Sequence, residues 1–149
     1  MRWAALVLAL ALPAAAPAEE NLRAAVMGGG TVDFVSPAVG WWGGAEAWFG
    51  RHGMRVDGFG VRGAILLEGS YQAMVGNAWP NIVATVRVGA GADVRDPVPV
   101  FAAGGGLMIG HGLLPRPLAI AARLDAHLLV RDERPYVYVT VTLGVGAAF

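Results

Sequence analysis

The 149-residue sequence has no cysteine and no lysine, little charge of either sign, and no apolar run beyond its first residues that could cross a membrane as a helix. Each absence excludes something. Without cysteine, an exported chain of this size cannot be stapled by disulfides. Without lysine, all the basic residues are arginines, and eleven of them face eleven acids, so no basic surplus points to nucleic acid. A charged fraction of 15% beside a hydrophobic fraction of 56% is too apolar for an ordinary secreted domain. High hydrophobicity without a helical span leaves two possibilities, a large buried core or a barrel of strands whose lipid face alternates with a polar one.

What is present begins with Arg2, an apolar run from Trp3 to Leu12, and small residues ending Ala16-Pro17-Ala18. This order is that of a secretory signal peptide cut after Ala18, with an apolar core shorter than the ~20 residues a span needs. The expected division is a signal peptide over 1–18 and a barrel domain over 19–149.

The remainder alternates with a period of two. In the final stretch, YVYVTVTLGVGAAF, Val137, Val139, Val141, Leu143, Val145, Ala147 and Phe149 share one face. LAIAARLDAHLLV puts Leu118 to Val130 at even positions and Arg123, Asp125 and His127 at odd ones. NIVATVRVGAGADV, VFAAGGGLMI, NLRAAVMGGGTVDF and VGWWGGAEAWF behave alike. Between Gly50 and Pro80 the parity of the apolar residues switches from even (Met54, Val56) to odd (Phe59, Val61, Ile65, Leu67). A turn is therefore expected at Asp57-Gly58, a strand over Phe59–Leu67 with Arg62 on its other face, a second turn at Glu68-Gly69, and a short strand over SYQAMV. The sum is eight strands.

The apolar face of these strands carries no charge, whereas the opposite face collects Arg23, Asp33, Glu46, Arg62, Arg87, Asp93, Arg123 and Asp125, four positive and four negative. A balanced set suits a narrow closed lumen, where an unpaired charge is expensive. A charge-free face suits lipid, in which a midplane arginine costs about 2–4 kcal/mol. Phe34, Trp41, Phe49, Phe59, Tyr71 and Phe101 stand near strand ends on the proposed outer face, as interfacial aromatics do. The expected fold is all-β, a closed antiparallel up-and-down transmembrane β-barrel.

Leader, strand count and a terminal strand alternating back from Phe149 resemble the small bacterial outer-membrane barrels of the OmpA/OmpX type. In that family the last aromatic and the hydrophobics before it are read by the barrel-assembly machinery. Phe149, Val145, Leu143 and Val141 match, while Ala147, where an aromatic is common, departs. The resemblance implies location in the outer membrane, lipid as solvent, and the assembly machinery and periplasmic chaperones as transient partners of a monomer.

Chemistry is sparse. Gly28–Gly30 and Gly104–Gly106 would need a following helix to cradle phosphate, and they lie inside strand patterns. His127 reads as polar filling of the lumen before it reads as a proton carrier. His52 and His111 fall in separate turns, which is not a metal-site spacing. A lipid-modifying serine–histidine pair would have to use Ser36 or Ser70, neither of which is near a histidine in sequence. A barrel of eight strands has a lumen that side chains fill, which disfavours a channel. The expectation is a structural or membrane-integrity barrel with no cofactor, no metal and no catalysis. A small surface-binding or adhesion module stands as its first alternative, and a lipid-modifying enzyme or narrow channel follows.

Overall fold

Alternating sequence becomes alternating burial around a closed ring in the structure, a computed structural model that describes residues 24–79, 82–109, 114–131 and 133–149. The strands are β1 (Ala24–Asp33), β2 (Ala38–Phe49), β3 (His52–Val61), β4 (Ala64–Trp79), β5 (Ile82–Asp93), β6 (Val98–Ile109), β7 (Leu118–Arg131) and β8 (Arg134–Ala148). Each pairs antiparallel with its sequence neighbour, and β8 pairs back onto β1 from Ala25↔Ala148 to Asp33↔Thr140. The Phe149 N–H donates to the Ala24 carbonyl at 2.8 Å, and the Ala24 N–H to the Phe149 carbonyl at 3.2 Å. Phe149 and Ala24 thus close the ring, and among the described residues no strand edge is left to pair with another chain. Among the described residues there is no helix. The leader and Arg23 lie outside the described residues.

One mouth of the barrel carries the β1–β2, β3–β4, β5–β6 and β7–β8 turns and is called here the hairpin mouth; the terminal mouth carries both ends of the barrel. Two hairpin-mouth turns share one chemistry. Asp33-Phe-Val-Ser-Pro37 and Asp93-Val-Arg-Asp-Pro97 each begin with an aspartate whose Oδ1 accepts the N–H two residues on, from Val35 at 3.1 Å and from Arg95 at 3.0 Å. This is the Asx turn, a side chain standing in for a backbone acceptor.

The region between residues 50 and 80 differs from the expectation. Asp57-Gly58 and Glu68-Gly69 are not turns; Asp57 pairs with Glu68 in mid-strand, and the chain reverses at Arg62-Gly63. Both of those residues take positive φ, 48° and 77°, as a type I′ hairpin turn requires. β3 keeps one parity throughout, with Arg55, Asp57, Phe59 and Val61 all inward and buried. The apparent switch in the sequence arises because Phe59 and Val61 are apolar residues that face the lumen.

The lumen is layered. Near the hairpin mouth Phe59, Leu66, Val100 and Leu129 form an apolar layer, and near the terminal mouth Met27, Trp48, Met108, Ala119 and Ala121 form another. Arg55, Asp57, Glu68, Arg87, Arg123 and Asp125 lie between them, while Asp33 and Asp93 are buried at the hairpin mouth. Small residues make the room: a Cβ on Gly144 would lie 2.2 Å from the Trp42 ring, and one on Gly104 would lie 2.2 Å from Asp125 Oδ1. The outer wall is the reverse. Val39, Val88, Leu124, Leu143 and Val145 are exposed, and every Asp, Glu and Arg of the described strands stands at an inward-parity position.

Candidate functional site

The chemical groups of this protein converge in the middle of the lumen. Arg87 on β5 is the hub: its Nε donates to Asp125 Oδ1 at 2.6 Å, its Nη2 meets Glu68 Oε2 at 3.3 Å, and its Nη1 lies 3.5 Å from Asp57 Oδ2. Arg55 donates from Nε to Asp57 Oδ1 at 2.5 Å, and Arg123 from Nη2 to Glu46 Oε2 at 3.0 Å. Gln72 donates to the same Glu46 oxygen at 2.9 Å. Two tryptophans turn their indole N–H groups into the network, Trp42 to Asp57 at 2.9 Å and Trp48 to Glu46 at 3.1 Å. Arg55 and Arg123 both place their guanidiniums over the Trp42 ring, at 4.9 and 5.5 Å from its centroid. Three guanidiniums therefore face four carboxyl groups, and His127 stands against Glu68. Buried ions need this degree of pairing, because desolvation of an isolated charge costs several kcal/mol.

His127 completes a row. Its Nδ1 is 2.5 Å from Glu68 Oε1 and its Nε2 is 3.0 Å from Thr140 Oγ1. An acid, an imidazole and a hydroxyl in that order have the connectivity of a hydrolase triad. Access decides against that use, since His127 and Thr140 are 0% exposed and Glu68 is 1% exposed. Phe59 packs edge-on against the imidazole with centroids 4.8 Å apart. The row holds the lumen together without offering a surface to a reactant.

Of the residues singled out from sequence, Glu46, Arg87, Arg123, Asp125 and His127 meet in this network. Asp33, Asp93 and Arg62 do not; they stand at the hairpin mouth. Arg62 pairs with Asp33 and lies 4.3 Å over the Tyr138 ring. Asp93 accepts the Ile65 N–H at 3.3 Å in addition to that of Arg95. Sequence reasoning missed Arg55, Asp57 and Glu68, because two of them were assigned to turns. A single uninterrupted parity over 53–61 was the available signal. Ser70 is buried and its Oγ has no hydrogen-bond partner among the described residues, and Ser36 lies in the β1–β2 turn. Among the described residues no group of three or more histidine, aspartate or glutamate side chains could hold a metal ion.

Phe34, Trp41, Phe49, Tyr71 and Phe101 are exposed on the outer wall, as are Leu143, Val145 and Phe149. Phe34, Trp41 and Phe101 lie toward the hairpin mouth, and Phe49 and Phe149 toward the terminal mouth. Phe59 is corrected: it is 0% exposed and faces the lumen, where its ring also lies 5.9 Å from the Arg87 guanidinium. No protein-family model matches this chain, and no curated protein and no solved structure is significantly similar to it.

Proposed function

We propose that this chain is an integral barrel of the bacterial outer membrane, of the small OmpA/OmpX kind, exported by its leader and serving envelope structure without catalysis. One observation carries the reading: the exposed wall is apolar and free of charge while the ionic groups are paired inside. In water such a wall is an aggregation surface, and in lipid it is a solvated one. The dimensions agree. Ten-residue strands such as β1 and β3 rising ~3.3 Å per residue at a tilt of about 40° span roughly 25 Å, the height of an outer-membrane apolar band.

A structural role follows from what the lumen holds. Large side chains such as Trp42, Trp48, Phe59 and Leu66 are buried in it beside the paired ions, which argues against an open channel. The burial of the Glu68–His127–Thr140 row argues against hydrolysis. Lipid contacts the wall, and the assembly machinery and chaperones handle the chain only during biogenesis.

The protein should fractionate with outer membranes and migrate faster on a gel unheated than boiled; complete extraction by carbonate would refute the location. Thr140→Val removes the hydroxyl of the row at nearly constant volume. In a deletion strain with a leaky envelope, that variant should restore the barrier as well as wild type, and failure to do so at normal protein levels would refute a non-catalytic role.

A further inference from the structure

The hairpin mouth carries a feature that the structural role does not use. The β3–β4 and β5–β6 turns are tied together by Arg95, whose Nη1 donates to the Gly63 carbonyl at 2.8 Å. Around this tie lie two adjoining hollows that share Arg62, Gly63, Ala64 and Arg95. The first, of about 450 Å³, continues onto the outer wall over Val39, Trp41 and Ile65. Gly60 there lets the Trp41 indole lie against the strand, since a Cβ on Gly60 would fall 2.0 Å from the Trp41 ring nitrogen. Val39 is 82% exposed there and Trp41 52%. The second hollow, of about 280 Å³, is polar and adds Asp93, Asp96 and Tyr138.

Apolar wall, guanidiniums and carboxylates thus follow one another across a single rim. Arg95 is exposed and the Arg62 side chain is 30% exposed, so both guanidiniums, each with five N–H donors, can be reached from outside. Guanidiniums match phosphate oxygens in geometry as well as charge. We infer that this rim binds one phospholipid, its phosphate on Arg62 and Arg95 and an acyl chain along Val39 and Trp41. The site rests on the membrane reading above. In that setting the apolar half of the hollow faces acyl chains and the charged half lies at the height of the headgroups.

The test titrates the barrel, refolded in a non-ionic detergent, with dioleoyl phosphatidylethanolamine, with dioleoylglycerol, and with free phosphoethanolamine, counting bound ligand by native mass spectrometry. One phospholipid per barrel should bind at least tenfold more tightly than either fragment. Arg95→Gln combined with Trp41→Ala should weaken it at least tenfold. Arg51→Gln combined with Phe49→Ala, at the opposite mouth, should change it less than twofold. Gel mobility of the unheated protein verifies that both variants are folded. Equal binding of dioleoylglycerol, equal binding of free phosphoethanolamine, or equal behaviour of the two variants would overturn the site. A barrel that inserts into vesicles yet binds no phospholipid refutes this site alone, whereas one that never inserts refutes the membrane reading and the site with it.

Discussion

Replacing Arg87 by methionine removes the cation shared by three carboxylates, and the structure says which of them suffers. Asp57 keeps Arg55 at 2.5 Å and the Trp42 indole at 2.9 Å. Glu68 keeps His127 at 2.5 Å. Asp125 keeps no hydrogen bond among the described residues, because its Oδ1 bonds only Arg87 and its Oδ2 has no partner. The loss therefore falls on one buried carboxylate that is 1% exposed. Stranding such a charge costs about 3–5 kcal/mol. At a urea slope of roughly 3 kcal/mol/M the unfolding midpoint drops by about 1 M or more. Adding Asp125→Asn removes the stranded charge and should recover about half of the loss or more. Leu124→Ala is the control on the neighbouring residue, which points outward and is 56% exposed. Lipid or detergent fills the gap it leaves, so only the transfer difference of roughly 1–2 kcal/mol is lost, with no cavity contribution. The assay is equilibrium unfolding in micelles or vesicles, followed through the fluorescence of the buried Trp42 and Trp48. A loss at Leu124 as large as at Arg87 would mean that the two faces are reversed. Failure of Asp125→Asn to rescue Arg87→Met would mean that Arg87 matters as packing and not as a counterion.

Phe59→Ala should destabilise by about 3–5 kcal/mol in the same assay and Phe101→Ala by much less, since only the first empties a packed layer; equal losses would refute the inward assignment of Phe59. Gly144→Ala should cost about 1–3 kcal/mol through its clash with the Trp42 ring, and much less when Trp42 is already leucine; additive losses in that double variant would show the clash to be absent. Phe149→Ala should lower the folded population in cells while refolding in detergent to within about 1–3 kcal/mol of wild type. Normal cellular levels with poor refolding would remove Phe149 as an assembly signal.

Six of the eight strands were legible because each has one face without charge, and a period of two leaves no ambiguity about which residues share a face; the expected strand over Phe59–Leu67 instead straddles the turn between β3 and β4. β3 shows where that legibility ends. Periodicity reports alternation but not the contents of the faces, and this barrel has apolar side chains inside as well as an apolar wall outside. Phe59 and Val61 therefore looked like wall while they are lumen. Asp57-Gly58 carries the composition of a turn, yet Arg62-Gly63 makes it, since tertiary pairing with β4 tolerates an arginine at positive φ. The repeated Asp-x-x-Ser/Asp-Pro at 33–37 and 93–97 would have located two turns directly. The network itself was half legible. Which residues point inward follows from parity, but which of them meet depends on the stagger of strands around the closed ring. Arg87 reaches Asp125 on β7 and Glu68 on β4 only because of that stagger, and no spacing within one strand encodes it.

The bond between Ala24 and Phe149 sets a constraint in time as well as in space. Seven strand pairings join sequence neighbours and can form as hairpins, each while the rest of the chain is still unordered. The eighth joins Ala25 to Ala148, positions 148 − 25 = 123 residues apart. For a bare chain the entropy of that closure exceeds that of a two-residue hairpin by roughly 3.5 kcal/mol. Closure therefore comes last, and it requires β8. Until β8 pairs with β1, a curled sheet with two open edges holds a half-formed ionic centre, and in the bilayer proposed above neither edge nor centre would be tolerable. Insertion and closure must then be one cooperative event, and a chain shortened by a single strand should yield no barrel at all instead of a slightly weaker one.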